Sequence, residues 1–438
     1  MGQRGFLRFL EGHSQEWLCC RCGRRRLSHL LLLLVAVLVS LASPARCESA
    51  SPQAFSSHRA RRKTSRKKLT PLLDVSKIND PRLTVLVARG SKGNGVVRTG
   101  ILLDRLRFSP GEIAEAYNDN LGNAISAFQS ASGLAATGAV DSATWAALNR
   151  DQLSGQVEPW TPPGETPSPS QAQARGQPQA QPQAQPQVQA QARAQGPVRN
   201  LPPTITTYVI TKEDVAGPFT RLPRGQGEQE MLLEAELPRL DYGSPWELLA
   251  ERFHTSEQLL AQLNRGKRFD KEGESIDVPN VLTPAPPEAA TVVVDGLTRS
   301  VEALDVNGNV LAFFPATVGS EHDPLPLGIW KITGKKWYPK FKYNPNLFWD
   351  AEDKRPRATI APGPKNPVGV VWIGLSIAHY GIHGTPAPSL IGRTESHGCI
   401  RLTNWDAAEL ARMVRPGTPA ILEESTPWAA KSQSASSR

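Results

Sequence analysis

The amino-acid sequence predicts a multidomain protein whose mainly β C-terminal domain, with one late helix, follows a small helical bundle and a small α+β module. The length of 438 residues exceeds that of one ordinary domain. A segment rich in Gln, Pro and Ala over 153–202 interrupts the apolar pattern. Beyond residue 289, short β-prone runs separated by Gly, Asn and Pro replace the helical spacing of the earlier chain.

The first 45 residues have the pattern of an export signal. An arginine-rich stretch at 21–26 precedes a 12-residue apolar run at 30–41, and small residues follow up to Ala45. A bilayer span needs about 20 apolar residues. The pattern therefore predicts a signal peptide over 1–45, with an uncleaved membrane anchor as the alternative.

Positive charge is concentrated at the N-terminus. Residues 1–70 hold 14 Lys/Arg against three Asp/Glu, whereas the whole chain has a net charge of +9. The rest of the chain is therefore nearly neutral, and no nucleic-acid partner is predicted. We expect a disordered basic arm over 46–70 that is either a tether or an adhesive for anionic lipid or wall polymer. Membrane contact is expected only through this arm or the preceding segment.

Residues 71–152 have the spacing of a helical domain. Ile125, Phe128 and Leu134 recur at helical intervals, and Asp141 or Ser142 is placed to cap a last helix. This pattern predicts a small helical bundle.

Two segments are predicted not to fold. The segment 153–202 contains 11 Gln between residues 171 and 195 and no acidic residue in that stretch, so it buries too little apolar surface. Its Pro-rich composition predicts an extended spacer. The tail 426–438 is also expected to be disordered.

Residues 203–288 predict a small α+β module. Ser244 followed by Pro245 begins one helix, Ser256 begins another, and 275–279 forms a closing strand. A plain spacer domain is the alternative to a binding module.

Residues 289–425 predict the mainly β domain. Strand-like runs begin at Thr291, Arg299, Val310 and Trp330, and one late helix begins at Asn404.

One cysteine of this domain lies in a motif suited to nucleophilic chemistry. One glycine separates His397 from Cys399, and His379 and His383 lie within the 20 residues before Cys399. A thiol becomes an effective nucleophile when an imidazole accepts its proton. A zinc site built from these four residues and a buried structural cysteine are the alternatives.

The motifs resemble a known family. Asn366-Pro-Val-Gly-x2-Trp372, Tyr380-Gly-Ile-His-Gly-Thr and Ser396-His-Gly-Cys-Ile-Arg look like the L,D-transpeptidase (YkuD-type) catalytic domain. The run from Ala127-Phe-Gln to Trp145-x2-Leu is similar to the helical peptidoglycan-binding domain family. The module at 203–288 resembles a degenerate glycan-binding LysM module. The resemblance implies a YkuD-type β-sandwich with a late helix.

By position, the resemblance assigns roles to nine residues. Cys399 matches the nucleophile and His383 the proton donor and acceptor. The rest of the catalytic motif is Ser396, His397 and Gly398, and the substrate-binding candidates are Arg401, Trp372, Tyr380 and Thr385. No metal and no organic cofactor is implied.

The implied reaction is an acyl transfer on peptidoglycan. The thiolate attacks the bond to the terminal D-Ala of a tetrapeptide stem, and an acceptor amine resolves the thioester into a 3→3 crosslink. Alternatives are an L,D-carboxypeptidase, an endopeptidase or a lipoprotein-to-peptidoglycan ligase with the same nucleophile, and a non-catalytic wall-binding protein. Expected partners are stem peptides, glycan and, in the ligase case, an acceptor lipoprotein. An exported location, in the periplasm or cell envelope, is expected.

Overall fold

The structure is a computed structural model that describes residues 73–150, 202–223, 228–281, 284–347 and 356–424. The predicted signal peptide, the basic arm and the C-terminal tail lie outside the described residues, as does almost all of the segment 153–202. Every described residue belongs to one compact unit. Among these residues, no helix has the length and apolarity needed to cross a membrane.

Residues 73–150 form a helical module. Its helices are α1 (Val75–Asn79), α2 (Asn94–Arg105), α3 (Asp119–Ala131) and α4 (Ser142–Arg150). The predicted cap of the last helix is confirmed, because the Asp141 carboxylate accepts the Thr144 N–H at 2.8 Å. Ile125, Phe128 and Trp145 are buried, as the helical spacing predicts.

The described residues of 202–281 form an α+β module. In chain order its elements are β1 (Ile205–Val209), α5 (Lys212–Ala216), α6 (Glu228–Glu234), α7 (Pro245–Arg252), α8 (Glu257–Leu263) and β2 (Ser275–Pro279). Ser244 and Ser256 cap the two predicted helices, and the predicted strand is β2. β1 pairs antiparallel with β2, a partner that the sequence did not predict.

The described residues of 289–424 form the β domain. Its elements are β3 (Thr291–Asp295), β4 (Ser300–Leu304), β5 (Val310–Pro315), β6 (Gly328–Trp337), β7 (Phe341–Tyr343), β8 (Ala358–Ile360), β9 (Val371–Leu375), β10 (Gly381–His383), β11 (Ile400–Arg401), α9 (Asn404–Met413) and β12 (Pro419–Glu423). Eight strands form one sheet in the order β11-β10-β9-β6-β12-β3-β4-β5, and β7 pairs with β8. The predicted mainly β domain with one late helix is confirmed.

The large sheet curls so that its two ends meet. β6 pairs with β12 at its start and with β9 after an irregularity between Ile332 and Gly334. Thr317, just after β5, exchanges two backbone hydrogen bonds of 2.9 Å with Arg401 of β11. Buried residues from both halves, such as Val294 and Ile382, therefore belong to one core.

The described residues on either side of the segment 151–201 lie close together. The Arg98 guanidinium of α2 donates to Asn149 Oδ1 at 2.9 Å and to Thr204 Oγ1 at 2.8 Å, so one side chain binds the chain on both sides of the segment. Ile78 and Ile205 lie in one buried cluster shared by the two modules. Almost all of the spacer predicted over 153–202 lies outside the described residues, while the modules that flank it pack directly together.

The helical module also packs against the β domain. Phe313 of β5 lies in one buried cluster with Phe108 and Phe128 of the helical module. The Asn120 side chain donates to the Ile391 carbonyl at 2.9 Å, just before the Cys399 motif. The accessory modules thus contact the loops that carry the candidate site.

Candidate active site

Two adjacent parallel strands bring the predicted catalytic residues together. β10 pairs with β11 so that Ile382 faces Ile400 and His383 faces Arg401. Successive side chains of a strand alternate between its faces. Because both isoleucines lie in the core, His383 and Arg401 share the opposite face, and Cys399 directly precedes β11.

Two glycines provide the space beside the thiol. A Cβ at Gly381 would lie 2.4 Å from the Trp372 ring, and a Cβ at Gly398 would lie 2.7 Å from the Tyr380 ring. Gly398 also has φ +91°, a conformation that L side chains rarely adopt. The Trp372 ring can therefore approach Gly381, and the Tyr380 ring can approach Gly398, only because both positions are glycine.

The imidazole of His383 is buried and held in one orientation. Its Nδ1 lies 2.6 Å from the Gly384 carbonyl oxygen, which can only accept, so Nδ1 carries the proton and Nε2 is the acceptor. The ring stacks on Trp372 with centroids 5.4 Å apart. Burial lowers the pKa of His383 to about 3, with a further lowering from the charge of Arg401. The ring is therefore neutral at pH 7.

The Cys399 thiol is partly exposed and protonated at rest. Burial of the sulfur raises its pKa, while a hydrogen bond from the Gly381 backbone and the charge of Arg401 oppose that shift. The Sγ atom lies 3.6 Å from the His379 carbonyl oxygen. Both pKa shifts favour a neutral thiol beside a neutral imidazole.

The other predicted motif residues shape the backbone around Cys399. The buried Ser396 hydroxyl donates to the Cys399 carbonyl at 2.6 Å, and the Ser396 N–H donates to the Gly319 carbonyl at 3.3 Å. His397 is partly exposed. The Thr385 hydroxyl is buried and accepts the Ala387 N–H at 3.2 Å.

No cluster of three or more His, Cys, Asp or Glu suited to a metal ion occurs in the part of the chain that the structure describes. His379 is exposed and has φ +69°, and it contacts the thiol through its backbone carbonyl.

Two residues near the site carried no signal in the sequence. Asn404, the first residue of α9, is fully buried and lies against Gly384. Asp323 acts electrostatically on both Cys399 and Tyr380, raising the pKa of each. Their partners are distant in the chain, so a local motif could not reveal them.

Comparison with known proteins identifies two regions. The model of the YkuD L,D-transpeptidase catalytic domain matches residues 289–422. The model of a putative peptidoglycan-binding domain matches residues 92–148. The LysM-like nature of the module between them stays a prediction.

Curated relatives match about two fifths of the chain. The putative L,D-transpeptidase YkuD of Bacillus licheniformis is 32% identical over 179 residues, 40% of this chain and 92% of the relative. Its counterpart in Bacillus subtilis is 29% identical over 171 residues, 39% of this chain and 88% of the relative. A solved structure of L,D-transpeptidase 3 from Mycobacterium tuberculosis in complex with a faropenem-derived adduct shares 18% identity, covers 35% of this chain and 75% of that chain, and has a TM-score of 0.26.

The B. licheniformis relative matches along almost its whole length. The residues matched by the family model, 289–422, include His383 and Cys399. This protein belongs to the L,D-transpeptidase family.

Proposed function

We propose that this protein is a cysteine-dependent enzyme that cleaves the terminal D-Ala from peptidoglycan tetrapeptide stems and transfers the remaining acyl group to an amine. The observation that supports the proposal is the pairing of β10 with β11, in which His383 lies opposite Arg401, two residues after Cys399. The bare Nε2 of His383 is the acceptor that the thiol proton needs.

Acylation begins from the neutral pair. As Cys399 Sγ attacks the carbonyl carbon of the stem's third residue, His383 Nε2 accepts the thiol proton. The C–N bond to D-Ala then breaks, and the imidazolium gives this proton to the departing amine. A thioester remains on Cys399. Because burial holds the pKa of His383 near 3, the proton transfer accompanies the attack rather than preceding it.

Deacylation reverses the proton movements. An acceptor amine attacks the thioester, His383 takes its proton, and Cys399 leaves as a thiolate that is then reprotonated. A stem amine as acceptor gives a 3→3 crosslink. Water as acceptor gives a tripeptide, and the lysine of a lipoprotein gives an anchored protein.

Two further assignments belong to this proposal. The region matched by the peptidoglycan-binding model supports docking of the enzyme on its polymeric substrate. A wall substrate places the enzyme outside the cytoplasm, in agreement with the export signal expected over residues 1–45. Arg401, Trp372 and Tyr380 surround the thiol face and are proposed to bind the stem.

The test uses the full chain and a disaccharide-tetrapeptide substrate. We expect D-Ala release by the wild type, none by C399A, and a loss of about 10²–10⁴-fold in H383A, the usual contribution of an acid–base group. Mass spectrometry of the products distinguishes crosslinked dimer from tripeptide. Release by C399A at the wild-type rate would refute the thiol mechanism.

A further inference from the structure

One face of helix α7 lies against the β domain. Glu247 and Glu251 are four residues apart on this helix, so their side chains lie on the same face. Glu251 is 8% exposed, although it carries a carboxyl group. Carboxyl groups are rarely buried to this extent unless they bind specific partners. Both glutamates have partners in the β domain.

Glu251 fixes the side chain of Asn404. Its Oε1 accepts from Asn404 Nδ2 at 3.0 Å and from the Tyr242 hydroxyl at 2.7 Å. Asn404 Nδ2 also donates to the Pro364 carbonyl at 3.1 Å, and its Oδ1 accepts the Val370 N–H at 3.2 Å. These bonds orient both ends of the buried Asn404 amide.

Asn404 in turn fixes the backbone that holds the imidazole. Its Oδ1 lies so close to Gly384 and Gly369 that a Cβ on either residue would lie only 2.2 and 2.1 Å away, respectively. The Gly384 carbonyl is the acceptor of the His383 Nδ1–H. The amide of Asn404 therefore restricts rotation of the peptide on which the tautomer of His383 depends.

A second connection runs parallel to the first. Glu247 Oε1 forms an ion pair of 2.5 Å with Lys365 Nζ, which also donates to the Pro386 carbonyl at 2.9 Å. The Lys365 N–H donates to the Leu240 carbonyl at 3.0 Å. The α+β module thus holds the β-domain backbone on both sides of Gly384.

We propose that Glu251 of the α+β module is a positioning residue for His383, acting through Asn404 and the Gly384 peptide. The module thereby helps to keep Nε2 of His383 directed at the thiol, in addition to any glycan it binds. This inference rests on the proposed function only for the test by D-Ala release. The tautomer of the His383 ring, which the hydrogen bonds of Gly384 and Asn404 define, can be measured independently of that activity.

The first measurement is the protonation state of the His383 ring, observed by nitrogen NMR on full-length protein labelled in histidine. We expect the wild type to show Nδ1–H with unprotonated Nε2, and E251A to show a mixture of tautomers. E251Q keeps an oxygen that accepts from Asn404 and is expected to retain the wild-type ring. If E251A does not fold, E251D replaces it in the comparison with the wild type, because the shorter aspartate side chain moves the carboxylate oxygen away from Asn404.

The second measurement is D-Ala release, for which we expect E251A to lose about tenfold in kcat with KM unchanged. Y242F is the matched control, because it removes the other hydrogen bond to the same oxygen and leaves the Asn404 bond in place. Y242F is expected to lower stability without changing the ring tautomer or kcat. If E251A behaves like Y242F, Glu251 is only structural and the inference is wrong.

The kinetic test of His383 keeps the two proposals separable. Wild-type activity in H383A would overturn the proposed function, while the NMR comparison would still decide whether Glu251 controls the ring. Conversely, an inactive H383A together with an unchanged ring in E251A would overturn this inference alone.

Discussion

At the scale of single residues, the structure favours a neutral thiol and a neutral imidazole over a preformed ion pair. Burial raises the pKa of Cys399 and lowers that of His383 to about 3. A neutral thiol survives contact with oxidants and stray electrophiles better than a thiolate does. In the proposed mechanism, the thiolate forms only as Cys399 attacks a bound carbonyl.

The charge of Arg401 lowers the pKa of both Cys399 and His383. R401M is therefore expected to raise the pKa of Cys399, reduce the thiolate fraction and slow alkylation by iodoacetamide at pH 8. R401K, which keeps the charge, is the control. The measurement is the rate of alkylation against pH. Equal rates in R401M and R401K would show that the charge has no influence on the thiol.

At the scale of elements, strands with strong local patterns were predictable. The runs that became β3, β4, β5 and the late helix α9 carry clear apolar spacing and turn residues. β1 was missed, and Ile205 is the one fully buried residue of that strand, so its core contribution is small. Strands of three residues, such as β7, are too short for any periodicity to be seen.

The residues of the candidate site also divide into those that the sequence predicted and those that it did not. Cys399 and His383 were predicted because each lies in a short motif of the sequence. The bond between Glu251 and Asn404 joins residues 153 positions apart, so no window of sequence contains it. Such long-range partners follow from how modules pack, which local patterns do not determine.

Gly384 lies so close to Asn404 that a larger residue at this position is expected to destabilise the fold. A Cβ at Gly384 would lie 2.2 Å from Asn404 Oδ1, whereas a Cβ at Gly334 of β6 would meet nothing within 4 Å. We expect G384A to lower the free energy of unfolding by about 1–3 kcal/mol. G334A should stay within about 0.5 kcal/mol of the wild type. Chemical denaturation checks the difference, and similar losses in both variants would contradict it.

At the scale of the whole molecule, buried carboxyls lie where the modules meet. Burial raises the pKa of Glu251 and of Asp406 to about 7. Asp406 Oδ2 accepts the Ser109 hydroxyl of the helical module at 3.0 Å. His254 of the α+β module stacks on Trp405 next to it, with ring centroids 5.1 Å apart. The contacts between modules are therefore sensitive to protonation.

This arrangement predicts a fall in stability as pH rises. The folded chain binds more protons than the unfolded chain between about pH 4.5, where an ordinary carboxyl titrates, and pH 7, where Glu251 titrates in the folded state. The stabilisation is fully present below the lower value and is lost as pH passes the upper one. E251Q should gain stability relative to the wild type between pH 5.5 and 8, by up to about 3 kcal/mol. Urea unfolding at several pH values checks this, and a constant difference would contradict it.

The modules should also stay together without a continuous chain. We expect that a protease site placed within residues 171–195 can be cut and that the two pieces co-elute under native conditions, because Arg98 binds both Asn149 and Thr204. R98A should make the cut protein separate at a lower urea concentration, whereas the uncut R98A protein stays in one piece. Size-exclusion chromatography gives the result. Separation of the cut wild-type protein without denaturant would show that the shared contacts are too weak.

The contacts of Arg98 with Asn149 and Thr204 are made by the packed modules, so the distance between these two residues does not depend on how many residues join them. The entropic cost of joining two fixed points by a chain grows only logarithmically with the number of residues, by about 0.6 kcal/mol for each doubling. We therefore expect variants with more or fewer residues between Asn149 and Thr204 to keep the same catalytic face.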